Sequence, residues 1–105
     1  MIELNRYSTS DNRVPVSEWL DSLDRTVRGR ILNYIDRMQR GNFGYSRSVS
    51  QGIMELKIDF GPGYRVYYLH DGTSLVVLLC GGDKRSQQKD ILKAQEFAES
   101  YWRNR

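Results

Sequence analysis

Lys57, Arg65, Tyr67, Lys84 and Arg85 are the residues whose types and spacing could do chemistry in this sequence. Lys57 and Arg65 fall in neighbouring β-rich runs, and Lys84-Arg85 follow a Gly81-Gly82 pair just ahead of a helical pattern. Cations converging from several elements bind a phosphodiester and stabilise charge that grows on it in a transition state. RNA carries its own nucleophile, the 2′-hydroxyl, so its cleavage needs no metal. It needs a base for that proton, cations for the phosphorane and an acid for the leaving oxygen. The expected base is a lysine, Lys57 or Lys84, with its pKa lowered by neighbouring cations. Tyr67 would donate a proton or stack on a base. A salt-bridged surface accounts for the same residues equally well, because Glu55 and Asp59 flank Lys57 and Asp83 precedes Lys84.

Other chemistries lack their residues. One His and one Cys cannot make the usual zinc sets. His70 sits beside Asp71 in an expected turn, where exposed polarity explains it, so a Ser-His-Asp set is not credible. Gly61-Pro62-Gly63 and Gly81-Gly82 are too short for a phosphate-cradling loop. Asp59, Asp83 and Asp90 are dispersed over three elements, unlike the clustered carboxylates of a magnesium nuclease. The expectation is an enzyme with no metal and no cofactor.

At 105 residues with 39% hydrophobic and 28% charged side chains, the chain suits one globular domain spanning residues 1–105. A net charge of +3 permits an anionic partner, and Arg outnumbers Lys by 12 to 4, which favours forked phosphate contacts. The lone Cys80 lies in an apolar run and reads as a small core residue, which suits a reducing cytoplasm. No apolar h-region follows Met1 and no run approaches the ~20 residues that cross a bilayer, so neither secretion nor a membrane is expected.

The elements that must position these residues read as follows. Ile2–Tyr7 alternates as a short strand. Pro15 suits a first helical turn, with Val16, Trp19, Leu20 and Leu23 on its apolar stripe. Asp24 is a candidate N-cap for a second helix ending near Arg40, with Val27, Ile31, Tyr34, Ile35 and Met38 inward and Gly41 at C′. Its Arg25, Arg28, Arg30, Arg37 and Arg40 read first as a solvated basic face, with a face that meets RNA as the alternative. Gly41–Gly52 reads as a polar loop carrying Arg47. Ile53–Phe60 alternates, with Met54, Leu56, Ile58 and Phe60 on one face. Tyr64, Val66 and Tyr68 share that core face, leaving Lys57, Arg65 and Tyr67 together on an open one. Asp71-Gly72 predicts a type I′ hairpin turn. Leu75–Cys80 does not alternate and should be the central strand, buried on both faces. Ser86 is a candidate N-cap for a last helix with Ile91, Ala94, Ala98 and Tyr101 inward. The predicted order is β-α-α-β-β-β-α, an α+β fold with a mostly antiparallel sheet packed on a helical hairpin, and a C-terminal helix. Backbone N–H groups opening that helix would add positive potential beside Lys84 and Arg85. With Arg47, its Gln88 and Lys89 are candidate nucleic-acid contacts.

Three strings carry a family resemblance: Met54-Glu55-Leu56-Lys57-Ile58, Gly61-Pro62-Gly63-Tyr64-Arg65-Val66-Tyr67-Tyr68, and Leu78-Leu79-Cys80-Gly81-Gly82-Asp83-Lys84-Arg85-Ser86-Gln87 followed by Asp90-Ile91. Together they closely resemble the HigB-like, phage Gp49-like "addiction module killer protein" branch of the RelE/ParE toxin superfamily, over nearly the whole chain. The resemblance implies a compact RelE-like α+β domain and a type II toxin–antitoxin role. Such toxins typically cleave mRNA on the ribosome and arrest translation. An antitoxin, commonly a helix-turn-helix, HigA-like protein, neutralises them and alone reaches operator DNA. Arg65 matches the family's strand arginine at the scissile phosphate, Lys57 stands where the branch usually has another cation, and Lys84 matches the branch lysine. Arg85 replaces the branch's common small Ser or Thr and resembles the arginine of RelE proper. Gln87, Gln88 and Lys89 occupy the region where many RelE-type toxins carry a tyrosine or histidine, so general base and acid stay unassigned. The alternative within the superfamily is a ParE-like inhibitor of DNA gyrase, for which the cation cluster would be incidental.

Overall fold

Local chemistry starts and stops the helices where the sequence says. In a computed structural model that describes every residue from Met1 to Arg105, α1 runs over Pro15–Asp21 and α2 over Arg25–Gln39. Pro15 sits in the first turn of α1. The Asp24 carboxylate accepts from the backbone N–H groups of Thr26 and Val27, a cap that contributes about 1 kcal/mol. Gly41, at φ +83°, leaves the helix in the left-handed region that favours glycine.

The strands are β1 (Glu3–Arg6), β2 (Tyr45–Ser50), β3 (Ile53–Ile58), β4 (Tyr64–Asp71) and β5 (Leu75–Asp83), in the spatial order β1-β5-β4-β3-β2. All neighbours are antiparallel except β1, which runs parallel to β5. A short 3-10 turn, Lys84–Ser86, leads into α3 (Gln87–Arg103). The molecule is therefore α+β, with three helices and a five-stranded, mostly antiparallel sheet.

Helices cover both faces of the sheet. On one, Val16 and Leu20 of α1 and Ile31, Ile35 and Met38 of α2 close on Leu56, Ile58, Val66, Tyr68, Val76 and Leu78. On the other, Ala94 and Ala98 of α3 close on Ile53, Tyr67, Leu69, Val77, Leu79 and Cys80. This corrects the expectation of an open second face, because α3 folds back over most of it.

Other expectations change with the pairing. β2 replaces the predicted polar loop Gly41–Gly52. Its sequence, Tyr-Ser-Arg-Ser-Val-Ser, has too little apolar content to read as a strand, and it forms because β3 offers it a partner. The Tyr68 hydroxyl donates to Ser46 Oγ at 2.7 Å and ties β2 down. The central strand is β4, with β5 beside it, although β5 is buried on both faces as expected. The β4–β5 connection is the three-residue loop Gly72–Ser74, not a two-residue type I′ turn, since Asp71 pairs with Leu75. Asp71 instead faces inward and accepts from Tyr101 Oη and Arg105 Nε, fastening the end of α3.

β5 fails to alternate because it carries a bulge. Tyr67 pairs with Cys80 and Tyr68 with Leu78, so Leu79 is the extra residue and both Leu79 and Cys80 point toward α3. The parity then resumes with Gly81 toward α1 and Gly82 toward α3. A Cβ on Gly81 would lie 2.3 Å from Trp19 Cε3, and one on Gly82 would lie 1.8 Å from Asp90 Oδ2. The two glycines are the places where a helix presses on each face of the sheet.

Candidate functional site

Strand register builds the site from two rows of side chains. Tyr45, Lys57, Arg65 and Gly82 are directly opposed across β2, β3, β4 and β5, and Arg47, Glu55, Tyr67 and Cys80 form the next row. Opposed residues share a face and stand about 4.8 Å apart from strand to strand. This is the face that α3 covers at its β4–β5 side. Toward β2 the cover ends, leaving a cavity of about 480 Å³ lined by Tyr45, Ser46, Arg47, Glu55, Lys57, Asp59, Arg65 and Gln87.

Glu55 is the hub. It is 1% exposed, and its two oxygens are held from three directions. Arg47 Nε donates to Oε1 at 3.1 Å, Gln87 Nε2 donates to Oε2 at 2.9 Å, and Arg65 Nε lies 3.8 Å from Oε2, close enough for an ion pair but not for a hydrogen bond. A buried carboxylate is tolerable only with such partners. The sequence reading placed Glu55 as a neighbour screening Lys57. Its true role needs α3, whose first residue, Gln87, reaches it from 32 positions away.

Arg65 is the atypical group. It is 6% exposed, and its Nε and Nη1 are buried without any hydrogen-bond partner. Unpaired buried donors are costly, and a planar guanidinium presents N–H groups along more than one edge to the oxygens of a phosphate. Lys57, opposite Arg65, is exposed and makes no ion pair, so it is the cavity's one cation without a carboxylate partner.

The remaining sequence candidates sit elsewhere. Tyr67, expected on an open face, is fully buried beneath α3, and its hydroxyl makes no hydrogen bond. Burial first, then the Glu55 charge, push its pKa far above the usual phenol range. In this conformation it neither reaches a ligand nor gives up its proton. Lys84 and Arg85 are exposed on the 3-10 turn and do not line the cavity. Arg85 is already paired with Asp83, through Nη2 at 3.0 Å and its backbone N–H at 2.9 Å. Lys84 lies two residues past Gly82, about 7 Å along the strand from the Arg65 row. Gln88 and Lys89 are exposed on the first turn of α3, also outside the cavity. Arg47 does line it. Ser86, expected to cap α3, makes no capping bond. Its hydroxyl donates to Asp90 Oδ2 at 2.5 Å, and Asp83 caps the 3-10 turn instead. The positive end of the helix is thus already met by Asp83 and Asp90, which removes it as an anion site.

A larger cavity, about 700 Å³, lies beyond β5 between α1 and α3. Asp11, Glu18, Asp83 and Asp90 outnumber Arg13 and Lys93 there, so it disfavours anions. The basic face of α2 is largely engaged in packing: Arg30 lies 4.0 Å over the Phe60 ring, Arg37 4.7 Å over Tyr34, and Arg28 is 3.9 Å from Asp21. The chain holds no cluster of three or more His, Cys, Asp or Glu arranged for a metal ion. None of its helices is long and apolar enough to cross a membrane.

Residues 18–99 match the family described as phage-derived protein Gp49-like. The chain belongs to that family. An uncharacterized protein of Haemophilus influenzae strain Rd is 49% identical over 82 residues, covering 77% of this chain and 83% of the relative. The Gp49-like family is associated with the toxins of toxin–antitoxin modules, which makes an antitoxin the partner to expect of a member. The matched span takes in α2, β2 to β5 and nearly all of α3, and so every residue lining the smaller cavity.

Proposed function

We propose that this Gp49-like chain is a HigB-like toxin of a type II toxin–antitoxin module, acting as a metal-independent endoribonuclease that cuts mRNA on the ribosome. One observation carries the reading: Arg65 is buried with two unused N–H donors at a cavity it shares with the unpaired cation Lys57. A phosphodiester supplies the acceptors those donors lack. In the reaction the 2′-oxygen attacks the adjacent phosphorus, the bond to the 5′-oxygen breaks, and the products are a 2′,3′-cyclic phosphate and a 5′-hydroxyl end. Arg65 binds the phosphate and neutralises the charge added in the phosphorane. Lys57, opposite it, takes the 2′-hydroxyl proton in its neutral form and becomes the second cation beside the phosphorane as it does so, while water protonates the departing 5′-oxygen. Glu55 is a positioning residue, holding Arg47 and Arg65 through its carboxylate. Lys84, Arg85, Gln88 and Lys89, exposed outside the cavity, are the contacts we propose for flanking phosphates of a bound strand.

The test is induction of the chain in a bacterial host, followed by mapping of new mRNA 5′ ends. Cuts within translated codons and growth arrest are expected, with both lost in Lys57→Ala and Arg65→Lys variants whose circular dichroism is unchanged. The second substitution keeps the charge opposite Glu55 and removes only the fork. Arrest with intact mRNA, or with DNA breaks and an SOS response, overturns the ribonuclease reading in favour of a gyrase poison.

A further inference from the structure

Tyr45 opens the row that contains the two cations, yet the catalytic reading leaves it without a task. It lies directly opposite Lys57, which lies directly opposite Arg65, so the three share one face and one cavity. Its side chain is the most exposed of the chain's aromatic groups, at 81%. Apart from the fully buried Tyr67, every other aromatic ring packs on a second ring or under a guanidinium. Tyr45 alone is exposed with neither, and its hydroxyl makes no hydrogen bond inside the protein. An aromatic ring left bare in water on an edge strand is disfavoured unless it serves an encounter.

We propose that Tyr45 is a stacking platform for a single-stranded RNA base, that of a nucleotide next to the phosphate held by Arg65. The inference rests on the ribonuclease reading of the same cavity. The spacing supports it: two strand steps separate Tyr45 from Arg65, about 10 Å between backbones. A nucleotide whose phosphate sits on Arg65 and Lys57 can therefore lay an adjoining base on the ring. Sequence-selective RNA contacts favour unstacked bases on aromatic side chains. Stacking tolerates any base but favours the larger purine surface, so Tyr45 gives the site a purine preference at that position. Arg47, on the same strand, points into the same cavity and adds charge along the backbone of the bound strand.

The experiment compares Tyr45→Ala, Tyr45→Leu and Tyr45→Phe with the unmodified chain, using a programmed ribosome carrying one mRNA with either a purine or a pyrimidine beside the cut. Exposure at 81% and the absent hydroxyl partner mean that none of these changes touches the core, and thermal melting checks this. Removing the ring is expected to raise KM by roughly 5- to 150-fold, the range for one base–aromatic stack, and to level purine and pyrimidine substrates. Tyr45→Phe restores the ring and rescues both, whereas Tyr45→Leu, apolar but not aromatic, does not. Wild-type KM and an unchanged base preference in Tyr45→Ala overturn the stacking role while leaving the ribonuclease reading intact. If the unmodified chain cuts neither mRNA, both fall together.

Discussion

Replacing Glu55 by Gln removes one charge from the most deeply buried ionic group in the molecule, with little change in shape. The Glu55 and Arg65 side chains are 2% and 8% exposed, with the nearest pair of charged atoms 3.8 Å apart. At an effective dielectric constant of ~20, that separation corresponds to an attraction of about 4 kcal/mol. Removing one partner leaves the other buried and uncompensated, which costs about 3–5 kcal/mol. Arg47 contributes less, because two-thirds of its side chain is exposed and water screens it. A domain of this size has roughly 5–15 kcal/mol in hand, so Glu55→Gln should remain folded but be badly weakened. The assay is urea unfolding followed by tryptophan fluorescence. With a slope near 1.5 kcal/mol per molar urea, the midpoint should fall by about 2–3 M. Arg65→Met should cost less, because Glu55 keeps Arg47 and Gln87. The double variant Glu55→Gln, Arg65→Met should be more stable than the sum of the two losses predicts, by about 1–3 kcal/mol. A Glu55→Gln midpoint within about 0.3 M of the unmodified chain, or strict additivity in the double variant, would refute the buried pair and the view that Glu55 positions Arg65.

Further outcomes follow from the packing and titration of other groups. Gly82→Ala should lower Tm by at least about 5 °C in calorimetry, since its Cβ overlaps Asp90 Oδ2 and overpacking of this kind costs about 1–3 kcal/mol. Adding Asp90→Ala to Gly82→Ala should recover part of that loss. The Asp71 carboxyl is held below its ordinary value, first by Arg105 and then by Tyr101. Its stabilising effect is therefore full above the unfolded value near 3.8 and is lost as pH falls through its lower folded value, so Asp71→Asn should flatten the acid limb of a stability–pH curve. Asp90 behaves oppositely: burial raises its pKa, so its ionisation weakens the fold as pH climbs above 3.8. Asp90→Asn should match or exceed the unmodified chain in urea midpoint at pH 7, and fall below it only in acid.

Much of the architecture can be read from the sequence because local rules and burial agree there. The Asp24 cap, the apolar stripes of α1, α2 and α3, and the parity of Met54, Leu56, Ile58, Tyr64, Val66 and Tyr68 all follow from periodicity. β2 was invisible because a strand of small polar residues exists only through its partner. The site was half legible. Lys57 and Arg65 do come together, as parity requires. Lys84 and Arg85 stay apart because residue proximity along a strand says little about which way a following turn points. The inward placement of Tyr67 and the centrality of Glu55 both depend on α3 folding back over the sheet, a long-range event with no signature in β3 or β4 themselves. The bulge at Leu79 is what broke the alternation of β5, a pattern equally consistent with simple burial on both faces.

The parallel pairing of β1 with β5 has a consequence for synthesis. β1 is made well before its partner, which begins at Leu75, and Gln87, which holds Glu55, comes later still. Helices α1 and α2 and the β3–β4 hairpin can form from local sequence as they emerge. The sheet cannot close, and the Glu55–Arg65 cluster cannot lose its water, until β5 and α3 have been delivered. Until α3 emerges, a growing chain therefore carries Lys57 and Arg65 without the architecture that encloses them. Truncation anywhere before α3 should leave a chain without the Glu55–Arg65 cluster and its cavity, not merely a less stable one.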